Sequence, residues 1–299
     1  MSYLDKRYEV KLTRDLCFGR AVVNATGDRR ERDLLLDVYE PIGRPAGTQS
    51  PALVLAFGGA FHRGSKEDDG FEHGGSRSTA MAQYCHEFAR RGYVCFSIGY
   101  RLVQEDPDPG STVSMSDPEA IPRSRVDAVR DMLGLPYADN MTLWRGMEGA
   151  IDDGATALRW VQANAGRFGI DTSRVAAGGW SAGARVMMHA VFAERAPAAA
   201  VICISGYMDR HDMARYIPDA DNVPVFFTWG TSDLDYVLEA GPRFREHFSR
   251  IGLKHAGYEI AGANHFYPST TPLPTGGGGT IELEEAMARF LVEQLRLNC

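Results

Sequence analysis

Short runs of apolar, β-branched and aromatic residues alternate along this chain with longer stretches whose apolar positions recur every three or four residues. The runs LLLDVY (34–39), ALVLAF (52–57), YVCFSIGY (93–100), RVAAGGW (174–180), AVICIS (200–205), VPVFFTW (223–229) and AGYEIAG (256–262) predict strands. The intervening periodicity predicts helices over 78–91, 148–165, 182–194, 237–251 and 281–296. Strands separated by helices are joined by crossovers, so the pattern predicts a mostly parallel sheet with helices on both faces. In the last helix Met287, Phe290, Leu291 and Leu295 recur at helical spacing, and Thr280 is a candidate N-cap. Glu282, Glu284 and Glu285 fall in its first turn, where the helix dipole favours them.

Residues 103–147 break this rhythm, being too long for an ordinary connection inside a compact domain. They hold Pro- and Ser-rich sequence and then a weakly amphipathic stretch carrying Val126, Val129, Met132 and Leu133. The expectation is one domain spanning 1–299, with a small cap inserted at about 103–147 over the active-site face.

Composition narrows the function. The 299 residues are 44% hydrophobic and 24% charged, as in an ordinary globular protein. A net charge of −7 without any block of Lys and Arg argues against nucleic acid as a partner. Arg29, Arg30 and Arg32 alternate with Glu31 and Asp33 and suggest a solvated turn. The N-terminal MSYLDKRYEV lacks the apolar core of a signal peptide, and no window approaches a membrane span. Five scattered cysteines (Cys17, Cys85, Cys95, Cys203, Cys299) without a C-x-x-C predict no disulfide framework and a cytoplasmic location. Metal and nucleotide motifs are missing too, so neither chemistry is indicated.

The chemistry concentrates in GGWSAG. Ser181 follows a predicted strand and precedes a predicted helix, the setting of a nucleophile elbow. Such a turn brings backbones close together, which accounts for Gly179 and Gly183 flanking the serine at two residues' distance. A serine hydroxyl needs a base, and the base needs an orienting acid. Both should lie beyond the carboxyl ends of later strands, in the order acid then histidine. Asp233 follows VPVFFTW and His265 follows AGYEIAG, so they are the candidates, with Asp235 a second choice for the acid. His86, His189 and His247 fall in predicted helices and His255 precedes a strand, which suits structural roles better. His62, His73 and His211 are placed on loops. Oxyanion donors are expected from the backbone N–H groups of Gly59 and Ala60, after the strand ending at Phe57, and of Ala182. His62, Trp180, Tyr207, Met208, Tyr236 and Phe266 are candidate walls of an apolar pocket. Arg63, Arg101 and Arg185 could either recognise an acidic substrate or form ion pairs.

With these residues in place, the chain resembles the α/β-hydrolase carboxylesterase and lipase group that has an HGGG-type oxyanion loop, which includes the hormone-sensitive-lipase-like esterases. The resemblance rests on FGGAFHRGS (57–65), GYVCFSIGYRL (92–102), residues 151–183, WGTSDLDY (229–236) and GANHFYP (262–268). It implies an α/β-hydrolase fold with eight strands, and ester hydrolysis through an acyl-enzyme on Ser181 without a cofactor. It also implies Ser181, Asp233 and His265 as a triad, with Gly59, Ala60 and Ala182 as oxyanion donors. The expected partner is a small-molecule ester. Amide or formamide hydrolysis by the same residues is the alternative, and a catalytically inactive binding module is the remote one. Phe57, Ala60 and Ala184 depart from the usual His, Gly and Gly of the group.

Overall fold

The computed structural model describes residues 2–45 and 47–298; Cys299 lies outside them. Its central sheet has eight strands: β1 (Val10–Val23), β2 (Arg30–Pro41), β3 (Ser50–Ala56), β4 (Val94–Ile98), β5 (Ile170–Trp180), β6 (Ala200–Ile204), β7 (Val225–Ser232) and β8 (His255–Asn264). They lie in the order β1-β2-β4-β3-β5-β6-β7-β8. β2 is antiparallel to both β1 and β4, and every other pairing is parallel. β3, β4 and β6 are buried along their whole length, which is why they appear as unbroken apolar runs rather than alternating ones. This is the α/β-hydrolase fold.

Helices α1 (Met81–Ala89), α2 (Arg123–Met132), α3 (Asn140–Ala163), α4 (Ala182–Phe192), α5 (Arg210–Tyr216), α6 (Asp235–Ile251) and α7 (Leu283–Gln294) surround it. α1 and α7 pack on one face, while α3, α4 and α6 cover the other. Among the described residues no helix is long and apolar enough to cross a membrane. Cys17, Cys85, Cys95 and Cys203 are all unpaired.

Several boundaries depart from the pattern. β1 was not predicted because an edge strand exposed on much of its length has no apolar run to reveal it. Arg30 and Arg32 lie on β2 rather than in a turn, and the arginines here tie the hairpin to the insertion: Arg29 pairs with Asp108 at 2.8 Å and Arg32 with Glu105 at 3.0 Å. α3 begins at Asn140, not 148, capped by the Asp139 side chain accepting from Thr142 N–H at 2.7 Å. The inserted segment therefore ends near 139, and its helix is α2. Thr280 is not a cap, since residues 280–282 pair with 272–274 as a small ribbon and α7 starts after Glu282. His211 sits in α5 and His73 in a two-residue strand, not on loops.

The insertion is held down by buried carboxylates. Glu148 on α3 accepts from the N–H groups of Ser114 and Met115, the latter at 2.6 Å, and Asp212 on α5 accepts from Ser116 N–H and Oγ. Burial pushes the Glu148 carboxyl up to about 7, against the N–H donors of Met115 and Ser114 that pull it down.

Candidate active site

β5 ends at Trp180, and the chain reverses through Ser181 into α4. Ser181 adopts φ 54°, ψ −117°, a conformation that side-chain-bearing residues rarely hold. Its N–H donates to the Ile204 carbonyl of β6 at 2.8 Å, which helps fix the turn. A Cβ at Gly179 would lie 2.5 Å from the Ala56 carbonyl oxygen, and one at Gly183 only 2.0 Å from it. The two glycines thus let β3, β5 and α4 meet beneath the serine.

His265 follows β8 and is almost fully buried. Its Nε2 lies 2.8 Å from Ser181 Oγ and its Nδ1 2.5 Å from Asp233 Oδ1. Asp233, just past β7, also accepts from Leu234 N–H at 2.8 Å, Ser205 Oγ at 2.6 Å and Gly230 N–H at 3.2 Å. Burial raises its carboxyl, but the bond and charge of His265, with Ser205 and Leu234, outweigh burial and hold it below the usual aspartate value. Asp235 is exposed in the first turn of α6 and takes no part. Ser205 and Tyr267 were not foreseen: their hydroxyls meet at 2.7 Å, and Tyr267 reaches Thr228 Oγ1 at 2.9 Å. The signal for Ser205 is positional, since it ends a strand beside Ser181 and Asp233.

The loop after β3 runs Gly58-Gly59-Ala60-Phe61, and φ is 130°, 56° and 62° at the last three. Gly59 and Ala60 N–H groups donate to nothing among the described residues. Ala182, as the first residue of α4, has an N–H without an intrahelical acceptor. Phe57 stacks on Tyr100 with centroids 4.1 Å apart, and the Tyr100 hydroxyl donates to the Phe57 carbonyl at 2.8 Å. Asp69 braces the loop from within. It is 1% exposed and accepts from Gly58 N–H and Met81 N–H, each at 2.7 Å. Burial raises its carboxyl to about 7 against those two donors.

Asp69→Asn keeps one acceptor and turns an amide N–H toward the other donor, so a loss of about 1–3 kcal/mol is expected. The stability gap should narrow from pH 5 to pH 8. The folded parent keeps this proton over much of that window while the unfolded chain has lost it, so the contribution of Asp69 falls as pH rises through about 7. Urea unfolding at both pH values reads the gap, and an unchanged gap would mean that Asp69 is ionised throughout.

A pocket of about 30 Å³ opens at Ser181, walled by Ala60, Ala182, Arg185, Tyr207 and Tyr236, with Pro122 and Val126 of the insertion across from them. Of the six candidate wall residues, Tyr207 and Tyr236 line it, while Trp180, Phe266, His62 and Met208 do not. Trp180 is buried beneath the loop, where a Cβ on Gly58 would strike its ring, and its Nε1 donates to the His265 carbonyl at 3.2 Å. Phe266 packs on Trp180 at 5.5 Å and is buried too. The β5 strand alternation sends Trp180 to the opposite side of the sheet from the pocket. His62 is turned inward, with Nδ1 2.6 Å from the Ala60 carbonyl and Nε2 2.8 Å from Arg130 Nη1 on α2. Arg101 is structural, bonded to Asp153 and to the carbonyls of Val22, Asp108 and Gly149.

The clustered carboxylates Asp15, Asp37 and Glu67 hold the Lys66 ammonium, at 2.8, 2.7 and 2.5 Å. The ammonium occupies the space between them, and Arg14 also pairs with Asp37 at 3.5 Å.

Known proteins share the fold that carries these residues. A family profile described as "alpha/beta hydrolase fold" matches residues 146–233, from within α3 through Ser181 to Asp233. A search of curated protein sequences finds no match. Among solved structures, the chain is similar to esterase 2 of Thermogutta terrifontis phosphoramylated by tabun, with TM-score 0.59 and 19% identity over 96% of this chain and 94% of that one. The butyrate-bound form of that esterase gives 0.57 and 18% over 97% and 95%. A truncated carbohydrate esterase from gut microbiota gives 0.58 and 15% over 98% of both chains. The shared feature is the fold, at full length.

Proposed function

We propose that the protein is a serine hydrolase that cleaves small carboxylic esters through an acyl-enzyme on Ser181. The observation that carries this reading is the continuous chain Ser181 Oγ–His265–Asp233, at 2.8 and 2.5 Å, with unused N–H groups beside it. The solved structures of similar fold lend support, since they are esterases, one with butyrate bound and others modified by tabun and paraoxon.

In this mechanism His265 Nε2 takes the Ser181 proton as Oγ attacks the ester carbonyl carbon, and the carbonyl electron pair moves to oxygen. The N–H groups of Gly59, Ala60 and Ala182, with the positive end of α4, stabilise that oxyanion. Asp233 holds the imidazole in place and stabilises its charged form. Collapse of the intermediate expels the alcohol, which takes the proton from His265. Water, deprotonated by His265, then attacks the acyl-enzyme, and the acid leaves as Ser181 recovers its proton. The insertion carrying α2 acts as a cap that walls the pocket.

A fluorophosphonate probe tests the reading: one adduct per chain is expected, on Ser181, and an unlabelled Ser181 would sink it. An ester panel run beside an N-formyl amide separates esterase from amidase, since preference for the amide would assign the same residues to the other substrate.

A further inference from the structure

Among the described residues, one arginine lines the pocket without forming an ion pair, and two more, outside its lining, form none either. Arg185 lines it, one helical turn beyond Ser181 on α4 and so on the same face. It is 5% exposed, makes no side-chain hydrogen bond and joins no ion pair, and its buried Nε has no partner at all. Its only close neighbour of complementary character is the Tyr207 ring, 5.1 Å from the guanidinium carbon. Two buried carboxylates, Asp212 and Glu148, lie near enough to act on its charge but form no ion pair with it: Glu148 accepts from Ser114 and Met115, Asp212 Oδ1 accepts from Ser116, and Asp212 Oδ2 lies 3.5 Å from His189 Nε2. Arg125 of α2 sits over the Phe266 ring at 5.3 Å, and Arg63 over Phe71 at 4.0 Å; neither forms an ion pair. In a chain of net charge −7 the pocket is thus lined by an arginine without an ion-pair partner among the described residues.

A buried, unpaired guanidinium is costly, and its planar fork of donors matches a carboxylate with two parallel bonds. The hydroxyl of Tyr236, which also has no hydrogen-bond partner among the described residues, faces the same small space. We propose that Arg185 is a specificity-determining residue: it binds a carboxylate carried by the substrate a few bonds from the scissile ester. The site then takes monoanionic short-chain esters, such as hemiesters of dicarboxylic acids, in preference to neutral ones. Arg125, close enough to act on Tyr236, adds long-range attraction for the same anion. This inference rests on the hydrolase reading above and specifies its substrate class.

The test uses the full chain and two matched pairs in a pH-stat at low ionic strength. Monoethyl glutarate against ethyl valerate places the carboxylate on the acyl side, and 3-acetoxypropionate against propyl acetate places it on the alcohol side. In at least one pair the anionic ester should be preferred by tenfold or more in kcat/KM, chiefly through KM, and that pair identifies the side. Arg185→Gln should shrink the ratio by about tenfold to a hundredfold, as expected for losing a charge-assisted bond in a buried site. Arg185→Lys, which keeps the charge without the fork, should recover part of it. Absence of a preference in the parent in both pairs overturns the proposal, whatever the variants do, and so does an unchanged ratio in Arg185→Gln. Fluorophosphonate labelling keeps the two readings apart. An unlabelled parent refutes the hydrolase reading itself, whereas a labelled parent without preference refutes only the role of Arg185.

Discussion

Replacing Ser181 by alanine is expected to lower kcat/KM for a short-chain ester by about 10⁴- to 10⁶-fold while the chain still folds, as for loss of a nucleophile in this kind of site. The residual rate would come from the oxyanion donors and binding alone. Stability should move the other way when the replacement is glycine. At φ 54°, ψ −117° a side chain is strained, and Ser181→Gly is expected to unfold at higher urea concentration, by about 1 kcal/mol. Activity and unfolding measured on the same two variants decide the matter. A Ser181→Ala protein with parental kcat/KM would remove the serine from the chemistry, and a destabilised Ser181→Gly would show the turn to be unstrained.

Gly183→Ala should be among the most damaging single-methyl additions in the molecule. The added Cβ would lie 2.0 Å from the Ala56 carbonyl oxygen and 2.4 Å from that of Phe57. Both are backbone atoms at the end of β3, which cannot rotate away, so α4 or the loop must shift. A loss of about 3 kcal/mol or more is expected, with activity falling because Ala182 N–H moves with the helix. Gly166→Ala is the control: nothing lies within 4 Å of its Cβ and its φ is not positive, so it should unfold like the parent or later. A Gly183→Ala midpoint equal to that control would mean the elbow has slack.

How far the sequence carried the reading depends on what kind of signal each residue leaves. β3, β4 and β6 are buried on both faces, so their apolar runs were plain, and the glycines around Ser181 marked close backbone contacts that the structure contains. Asp233 and His265 were picked out from their order and from the strands before them, and the structure brings both side chains to Ser181 in one hydrogen-bonded chain. The elements that escaped have weak local signals. β1 is a polar edge strand, α5 is a short helix opened by the Asp209 side chain, and the start of α3 is set by the Asp139 cap more than by its apolar face. Trp180 and Phe266 were misplaced because adjacency to Ser181 and His265 in sequence says nothing about which side of the sheet a ring takes. The Asp69 brace could not be read at all: its partners, Gly58 and Met81, are backbone groups eleven and twelve residues away. The same limit applied to Arg101 and Arg185, equivalent as letters, one saturated with hydrogen bonds and the other, among the described residues, with only the Tyr207 ring.

The contacts of His62 carry a consequence for proton placement. Arginine has only donors, so the Arg130 Nη1 that meets Nε2 leaves that nitrogen no role but acceptor, and the ring's single proton must sit on Nδ1, donated to the Ala60 carbonyl. Burial, helped by the Arg130 charge, holds the imidazole below its ordinary pKa and keeps it in this one tautomer. A second proton would set N–H against N–H across the seam between α2 and the loop after β3. Acid therefore works directly on the joint between the insertion and the Gly59–Ala60 backbone, and the stability it lends is present above the ordinary histidine pKa and lost as the pH falls.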